Sequence, residues 1–339
     1  MPRGGPSAKH LFRPRAQRGA AILTAMLVVT LVATLAAAAL WQQWRSVEVE
    51  AAQRARVQSS WILVGALDWA RLILREDARS GGADHLAEPW AVPLEEARLS
   101  TFFASTTSTT SATEKADDVQ QSFISGQIID LQSRLNVLNL VDGAQVSPPG
   151  LRAFDKLFTL LGLDNAELGV LAENLRGALD YTTPSASDIA KAPQALLLPQ
   201  RVEQLAWMGL SPRTVAALAP YITVLPVRTP VNLNTASAEV LFASIDTLDM
   251  AGARQLVTAR AQAHFQTTGV VAKLLGDRPG QIVEGQHSVA SRFFEVRGRL
   301  RLDQTTVQER SVVQRDGLEV KALWRDRGVA QTDAKPSLQ

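Results

Sequence analysis

Residues able to do chemistry are sparse in this chain, and none falls into a catalytic pattern. The four histidines, His10, His85, His264 and His287, sit in no metal-binding or nucleophile motif, so neither a proton relay nor a zinc site has its ligands at a workable spacing. His264, near the expected end of a helix, reads as a structural residue at the negative end of the helix dipole. Gly276, Gly280 and Gly285 lie in a loop without the helix start that a phosphate-cradling glycine run requires. The 339 residues include no cysteine, which leaves an oxidising compartment allowed but unmarked. With catalysis unsupported, the residues that matter are Gly19 and Ala20, which follow Arg18 at the edge of an apolar stretch.

That stretch, Ala20 to Leu40, reads AAILTAMLVVTLVATLAAAAL, twenty-one positions without a charge. As a helix it reaches roughly 31 Å, enough for a bilayer core of about 30 Å. Three readings compete. A secretory signal would be cut near Ala36 to Ala39, although its apolar core usually spans only about 7 to 15 residues. A signal anchor would be held with its amino end in the cytoplasm by Arg3, Lys9, Arg13, Arg15 and Arg18. A cut between Gly19 and Ala20 would discard the leader and keep the helix. Trp41 and Trp44 stand where an aromatic belt meets the headgroups, and Arg18 marks the opposite interface.

Beyond the anchor, Ala51, Ala55, Ile62, Ala66, Trp69 and Ile73 recur at helical spacing, giving one long helix from about Ala20 to Arg79, ended by Gly81-Gly82. Taking the five leader cations from the formal charge of +2 leaves −3, so the apparent basicity belongs to the leader. The remaining chain, 46% apolar, can bury a large core and more than one domain. ASTTSTTSAT, Ala104 to Thr113, is a flexible loop by composition. Ile129 and Leu131 alternate with Asp130 and Gln132 within GQIIDLQSRLNVLNL, Gly126 to Leu140, predicting a half-buried strand. In RFFEVRGRLRL, Phe294, Val296, Leu300 and Leu302 face one way and Glu295, Arg297, Arg299 and Arg301 the other. The arginine stripe reads as a solvated sheet face rather than a nucleic-acid surface. Strands at Val307 to Val313 and Leu318 to Trp324, joined at Asp316-Gly317, complete a three-stranded meander.

Between these blocks the chain is helical: Leu151 to Leu161, Asn165 to Leu179, Val202 to Met208, Pro212 to Tyr221, Ser237 to Ser244 and Gly252 to His264 are predicted helices, punctuated by prolines. VNLNTASAEVL, Val231 to Leu241, resembles the opening of a helix-hairpin-helix. Thr235 or Ser237 can cap the helix that follows, with Glu239 near its positive end. DNA-binding members follow it with a Pro-Gly-Ile-Gly hairpin whose bare amides hold a phosphate. Here the hairpin is Ile245-Asp246-Thr247-Leu248-Asp249-Met250, with two carboxylates and no glycine before Gly252.

QRGAAILTAMLVVTLVATLAAAAL resembles a type IV pilin-like leader, which a prepilin peptidase cuts after glycine; here that bond joins Gly19 to Ala20. Such pilins usually carry glutamate at the fifth mature position, where its carboxylate neutralises the new amino terminus of a neighbour. This chain has Thr24 there. A membrane carboxylate costs about 2.5 to 3.5 kcal/mol and is kept only with a partner, whereas threonine can bond a carbonyl of its own helix. A subunit at the end of a filament has no earlier neighbour to neutralise.

This leader, DLQSRLNVLNL, a helical insertion, LPVRTPVNLNTASAEVL and a terminal sheet, in that order, together resemble the type II secretion minor pseudopilin K, the GspK family, over most of residues 12 to 326. The resemblance implies an α+β, type IV pilin-like fold: a long N-terminal helix packed on a small antiparallel sheet, with a large all-helical insertion containing a helix-hairpin-helix or SAM-like element. The expected divisions are leader 1–19, transmembrane segment 20–40, soluble half of the helix 41–80, first part of the pilin-like domain 81–147, insertion 148–289, β-meander 290–326 and flexible tail 327–339. It also implies a non-enzymatic subunit, single-pass in the bacterial inner membrane with its soluble domain in the periplasm. There it would sit with minor pseudopilins I and J at the tip of a pseudopilus, meeting exoprotein substrates or the secretin, and would bind no nucleic acid. Some relatives bind calcium in the helical region. In this chain only Asp180 and Asp188 of ALDYTTPSASDIA could contribute to such a site, which takes about six to eight oxygens, and no cofactor is assigned. The alternatives are a membrane-anchored DNA-binding protein of an uptake system and a minor pilin of a type IV pilus.

Overall fold

The computed structural model describes residues 18–99, 122–180, 197–276, 281–302 and 305–329. The leader before Arg18, the Ser/Thr-rich stretch, Asp188, Gly280 and the last ten residues lie outside them. Helix α1 spans Arg18–Ser80 and stops at Gly81 and Gly82, both with positive φ that a side chain would strain. In its residues 61–80 the buried seam is Leu63, Leu67, Ala70 and Leu74. The stripe expected from sequence, Ile62, Ala66, Trp69 and Ile73, is turned one position aside and is only half-buried. Two adjacent apolar stripes both satisfy helical spacing, and the longer leucines take the deeper one.

Strands β1 (Leu94–Arg98), β2 (Ser122–Asp130), β9 (Phe293–Leu302), β10 (Thr305–Asp316) and β11 (Glu319–Val329) form one antiparallel sheet in the order β1-β2-β9-β10-β11. The chain therefore leaves this sheet after β2 and returns beside it as β9. The meander is longer than predicted: β11 runs to Val329, so residues 327–329, expected in the tail, pair with β10. The β10–β11 turn is also shifted, with Gly317 at φ 58° and Asp316 paired to Glu319. The predicted strand through Leu140 ends at Asp130, where Leu131–Ser133 make a 3₁₀ turn capped by the Asp130 side chain.

One sheet face packs on α1: Leu67, Ala70 and Leu74 meet Trp90, Phe294, Val296, Val313 and Val320, while Leu63 meets Leu99, Ile124, Leu300 and Val307. The opposite face is not simply solvated. Phe293 and Val312 are buried against Leu131 and Leu225, and Glu295 is buried as well.

The insertion has its own core. Helices α2 (Pro148–Leu161), α3 (Asn165–Asp180), α4 (Pro212–Leu218), α5 (Ala238–Ser244), α6 (Met250–Gln262) and α7 (Thr268–Leu274), with the 3₁₀ helix Val202–Met208, bury Phe154, Phe158, Leu171, Met208, Leu241 and Val271, among others, in one cluster. Three two-residue strand pairs tie its loops: β3 (Leu135–Asn136) with β6 (Ile222–Thr223), β4 (Val141–Asp142) with β5 (Gln145–Val146), and β7 (Val231–Asn232) with β8 (His287–Ser288). Pro148 and Pro149 open α2 rather than break before it, since its first turn needs no backbone N–H and Ser147 supplies the cap. Asp249 likewise caps α6 two residues earlier than predicted.

Candidate functional site

In the anchor, Arg18 and Gly19 already lie within α1. From Ala20 to Leu40 every residue is exposed, and the helix is long and apolar enough to cross a membrane, with a mean hydropathy of 2.4 in its best window and none of that window buried. Thr24 Oγ1 donates to the carbonyls of Ala20 and Ala21, 3.0 Å from each. Thr30 and Thr34 do the same three residues back, at 2.9 and 2.8 Å. All three hydroxyls are thereby satisfied inside their own helix, which a hydrocarbon surrounding demands. Trp41 and Trp44 stand edge to face, ring centres 6.2 Å apart, both exposed.

In the soluble body the family-like phrases converge on a buried polar junction. Asp130 Oδ2, at the end of β2, accepts from Thr235 Oγ1 at 2.6 Å, Ser291 Oγ at 2.6 Å and Asn232 Nδ2 at 3.0 Å, while its Oδ1 accepts from the Gln132 amide at 2.7 Å. Burial pushes its carboxyl up to about 6, against the pull of those donors. Ser291 N donates to Asp84 Oδ2 at 2.6 Å, and the Arg315 guanidinium bridges Asp84, at 2.5 and 2.7 Å, to Asp77 at 2.5 Å. Burial works against the Arg315 cation, but Asp84 and Asp77 outweigh it and raise its pKa. Of the two capping candidates, Ser237 caps α5, because Thr235 is committed to Asp130.

The other polar residues of these phrases stand in for missing backbone partners. Asn136 donates to Val227 O and accepts from Leu225 N; Asn139 bonds both backbone groups of Thr229; Asn234 bonds both backbone groups of Phe265. Gln132 links Pro230 O to Arg292 N. Buried amide side chains used in this way fix irregular loops that have no sheet or helix to pair with.

The helix-hairpin-helix loop is equally occupied. Lys156 Nζ of α2 donates to the carbonyls of Ile245, Asp246 and Leu248, at 2.7, 3.2 and 3.2 Å, and lies 4.3 Å from the Phe242 ring centre. Asp249 Oδ1 accepts from Gly252 N at 2.7 Å. A carboxylate thus takes the helix-start amide to which a DNA-binding hairpin would bring a phosphate.

Asp77, Asp84 and Glu88 offer ligand atoms within 4.8 Å of one another. Their oxygens are already engaged: Arg315 spans the two aspartates, and Glu88 Oε2 accepts from Trp90 Nε1 at 2.7 Å and His85 N at 2.9 Å. This set fits a guanidinium better than calcium. The sequence reading missed it, since Asp84 and Arg315 lie 231 positions apart with no motif around either. Asp180 closes α3. His264 stacks on His85, ring centres 3.6 Å apart, and His287 is buried and accepts from Val283 N.

Two family models, both for type II secretion system protein K, match residues 133–227 and 231–289, the segments that supply Asn136, Asn232 and Thr235. The resemblance to this family read from the sequence is borne out over both segments. The chain's relatives include type II secretion system protein K of Pseudomonas aeruginosa, 28% identical over 93% of this chain and 94% of the relative, and that of Pectobacterium carotovorum subsp. carotovorum, 23% identical over 93% and 98%. The Klebsiella pneumoniae protein is 26% identical over 92% and 97%. Among solved structures, a chain of the GspK-GspI-GspJ complex from the enterotoxigenic Escherichia coli type 2 secretion system shares the fold at a TM-score of 0.56 and 17% identity, covering 82% of this chain and 98% of that one. These matches support the role of a minor pseudopilin in protein secretion, and the apolar N-terminal helix is consistent with membrane anchoring.

Proposed function

We propose that this chain is a non-enzymatic minor pseudopilin that starts a periplasmic pseudopilus and remains at its tip. The observation that carries the reading is Thr24, whose hydroxyl is spent on Ala20 and Ala21 of its own helix. An anchor without a carboxylate at that position makes no demand for the amino terminus of an earlier subunit, and only a terminal subunit lacks one. The insertion, with a core of its own, adds bulk that a repeating shaft would have to accommodate at every step. Prepilin peptidase would cut between Gly19 and Ala20 on the cytoplasmic side, leaving Ala20 to Leu40 as a single span in the inner membrane.

The Escherichia coli complex contains GspI and GspJ beside its GspK; the corresponding minor pseudopilins I and J are the partners expected here. Exoprotein substrates or the secretin would meet the exposed end. The DNA-uptake alternative has little support from the hairpin, where Lys156 holds the carbonyls and Asp249 holds the amide.

The mass of the mature amino terminus tests the reading directly. A start at Ala20, methylated or not, supports it, and a start near Ala39 or an intact leader overturns it. Gold labelling of assembled fibres tests the position: one label at an end is expected, and labels along the length would defeat the tip assignment.

A further inference from the structure

The hairpin between α5 and α6 turns backbone oxygens toward α2. Just past Ser244, the carbonyls of Ile245, Asp246 and Leu248 converge on one point, where Lys156 Nζ lies 2.7, 3.2 and 3.2 Å from them. Ile245 O also accepts from Leu248 N at 3.2 Å, whereas no backbone N–H among the described residues reaches the carbonyl of Asp246 or of Leu248. Leu248 is buried, where a bare carbonyl is costly. The lysine has no counter-ion. Both acids of the hairpin are committed elsewhere, Asp246 to Arg152 at 2.9 Å and Asp249 to the Gly252 amide at 2.7 Å, and no carboxylate stands within ion-pair distance of Lys156 among the described residues. Burial disfavours its ammonium, and the charge of Asp246 opposes this with the smaller effect. What solvates the charge is therefore three backbone oxygens and the face of Phe242, whose ring centre is 4.3 Å away. A shell of carbonyls without a carboxylate suits a monovalent cation that gives up its water; calcium would want more oxygens and acids among them.

We propose that this hairpin is a monovalent-cation site of the ammonium and potassium class, which the chain fills from α2 with its own Lys156. The ammonium acts as a pin: it joins α2 to the connection between α5 and α6 through the backbone alone, and it satisfies two carbonyls that no amide reaches. With the ammonium removed, the same oxygens accept a free potassium or ammonium ion. Lithium, which holds its water more tightly, and choline, which is too large, do not replace it. The site goes beyond the tip assignment and does not need it.

The test uses the full chain in an uncharged detergent. Lys156→Met keeps the apolar stem and removes the charge. In choline chloride this variant melts at least about 5 °C below the parent, because hydrogen bonds to a charged group are lost and carbonyls are left bare. Potassium or ammonium chloride at the same ionic strength recovers at least about half of that loss, as a ligand of the folded state does. The parent and Lys273→Met, which removes an exposed lysine of α7, show no preference among these salts. In the parent, reductive methylation followed by mass spectrometry finds Lys156 at least about tenfold slower than the exposed Lys273 and Lys321. The proposal is overturned if Lys156→Met melts with the parent, if lithium or choline restores it as well as potassium does, if no small cation restores it, or if the parent itself gains from potassium. Should the variant fail to fold in every salt, the methylation rate decides: Lys156 reacting as fast as Lys273 overturns the occupancy, and its protection upholds it.

Discussion

In residues 20–40 apolar side chains stand uncovered, Leu23 at 70% exposure, whereas Asp130, Asn232 and Ser291 are polar and almost wholly enclosed, none above 2%. Both regions invert the usual distribution of apolar inside and polar outside, and they are resolved by different means. The anchor has no internal remedy: its leucines and valines need an apolar solvent, and its few hydroxyls turn inward on their own helix. The junction is remedied within the protein, by donors drawn from the 3₁₀ turn after β2, β7 and the loop after it, the segment before β9 and strand β10. An anchor of this kind tolerates any apolar sequence of the right length, whereas the junction depends on particular residues.

The largest expected effect therefore lies at the junction. Asp130→Ala removes the acceptor for Thr235, Ser291, Asn232 and the Gln132 amide together, and leaving buried donors unpaired costs about 3 to 5 kcal/mol. Urea unfolding followed by tryptophan fluorescence measures it. Loss of less than about 1 kcal/mol would mean that water replaces the carboxylate and the junction is not closed.

The same residue gives the junction a pH dependence that the uncharged anchor lacks. Asp130 is raised from 3.8 to about 6 in the folded protein, so between these values the native state keeps a proton that the unfolded state has released. Stability then falls as pH rises from about 4 to about 6 and is level above, by up to about 3 kcal/mol. The urea midpoint at pH 4.5 should exceed that at pH 6.5, and Asp130→Asn should flatten the difference. A midpoint rising over that interval would show that the four donors, not burial, govern the carboxyl.

A somewhat smaller effect tests how tightly the insertion closes beside the junction. A Cβ on Gly150, in the first turn of α2, would meet the Asn139 carbonyl oxygen at 2.0 Å, and backbone has little freedom to move there. Gly150→Ala should cost about 1 to 3 kcal/mol. Gly169, in α3 with nothing within 4 Å of such a Cβ, should gain about 0.5 to 1 kcal/mol from the same change. Equal outcomes at the two positions would show the close approach at Gly150 to be relaxed in solution.

The sequence made the anchor, the insertion and most helices legible, because charge-free length, helical spacing and Ser-Pro starts are local signals. It placed the α1 seam one stripe aside, since spacing alone cannot rank two adjacent apolar stripes. The junction was half visible. Asp130, Gln132 and Asn232 stood inside recognisable phrases, but their partners Asp84, Ser291 and Arg315 did not. Asn232 reaches Asp130 across 102 positions and Ser291 across 59, and no local pattern encodes such closures. The arginine stripe was read as solvated because alternation in a strand says which residues share a face and nothing about what covers it. Here Leu131, after β2, and Leu225, in the insertion, cover Phe293, and Glu295 is buried as well.

The smallest effect expected is at Thr24, and it separates chemistry from mere tolerance. Thr24→Val keeps the shape, removes hydrogen bonds that serve only the same helix, and should change anchor stability by less than about 0.5 kcal/mol with secretion intact. Thr24→Glu is different in kind. The carboxylate costs about 2.5 to 3.5 kcal/mol in the membrane unless an amine neutralises it, so the variant should either insert poorly or find the amino terminus of another subunit and enter the shaft. Following both variants by membrane fractionation and by label position on the fibre distinguishes these outcomes. If the glutamate variant inserts fully, secretes normally and still labels only one end, the absence of a carboxylate at this position does not decide which subunit comes first.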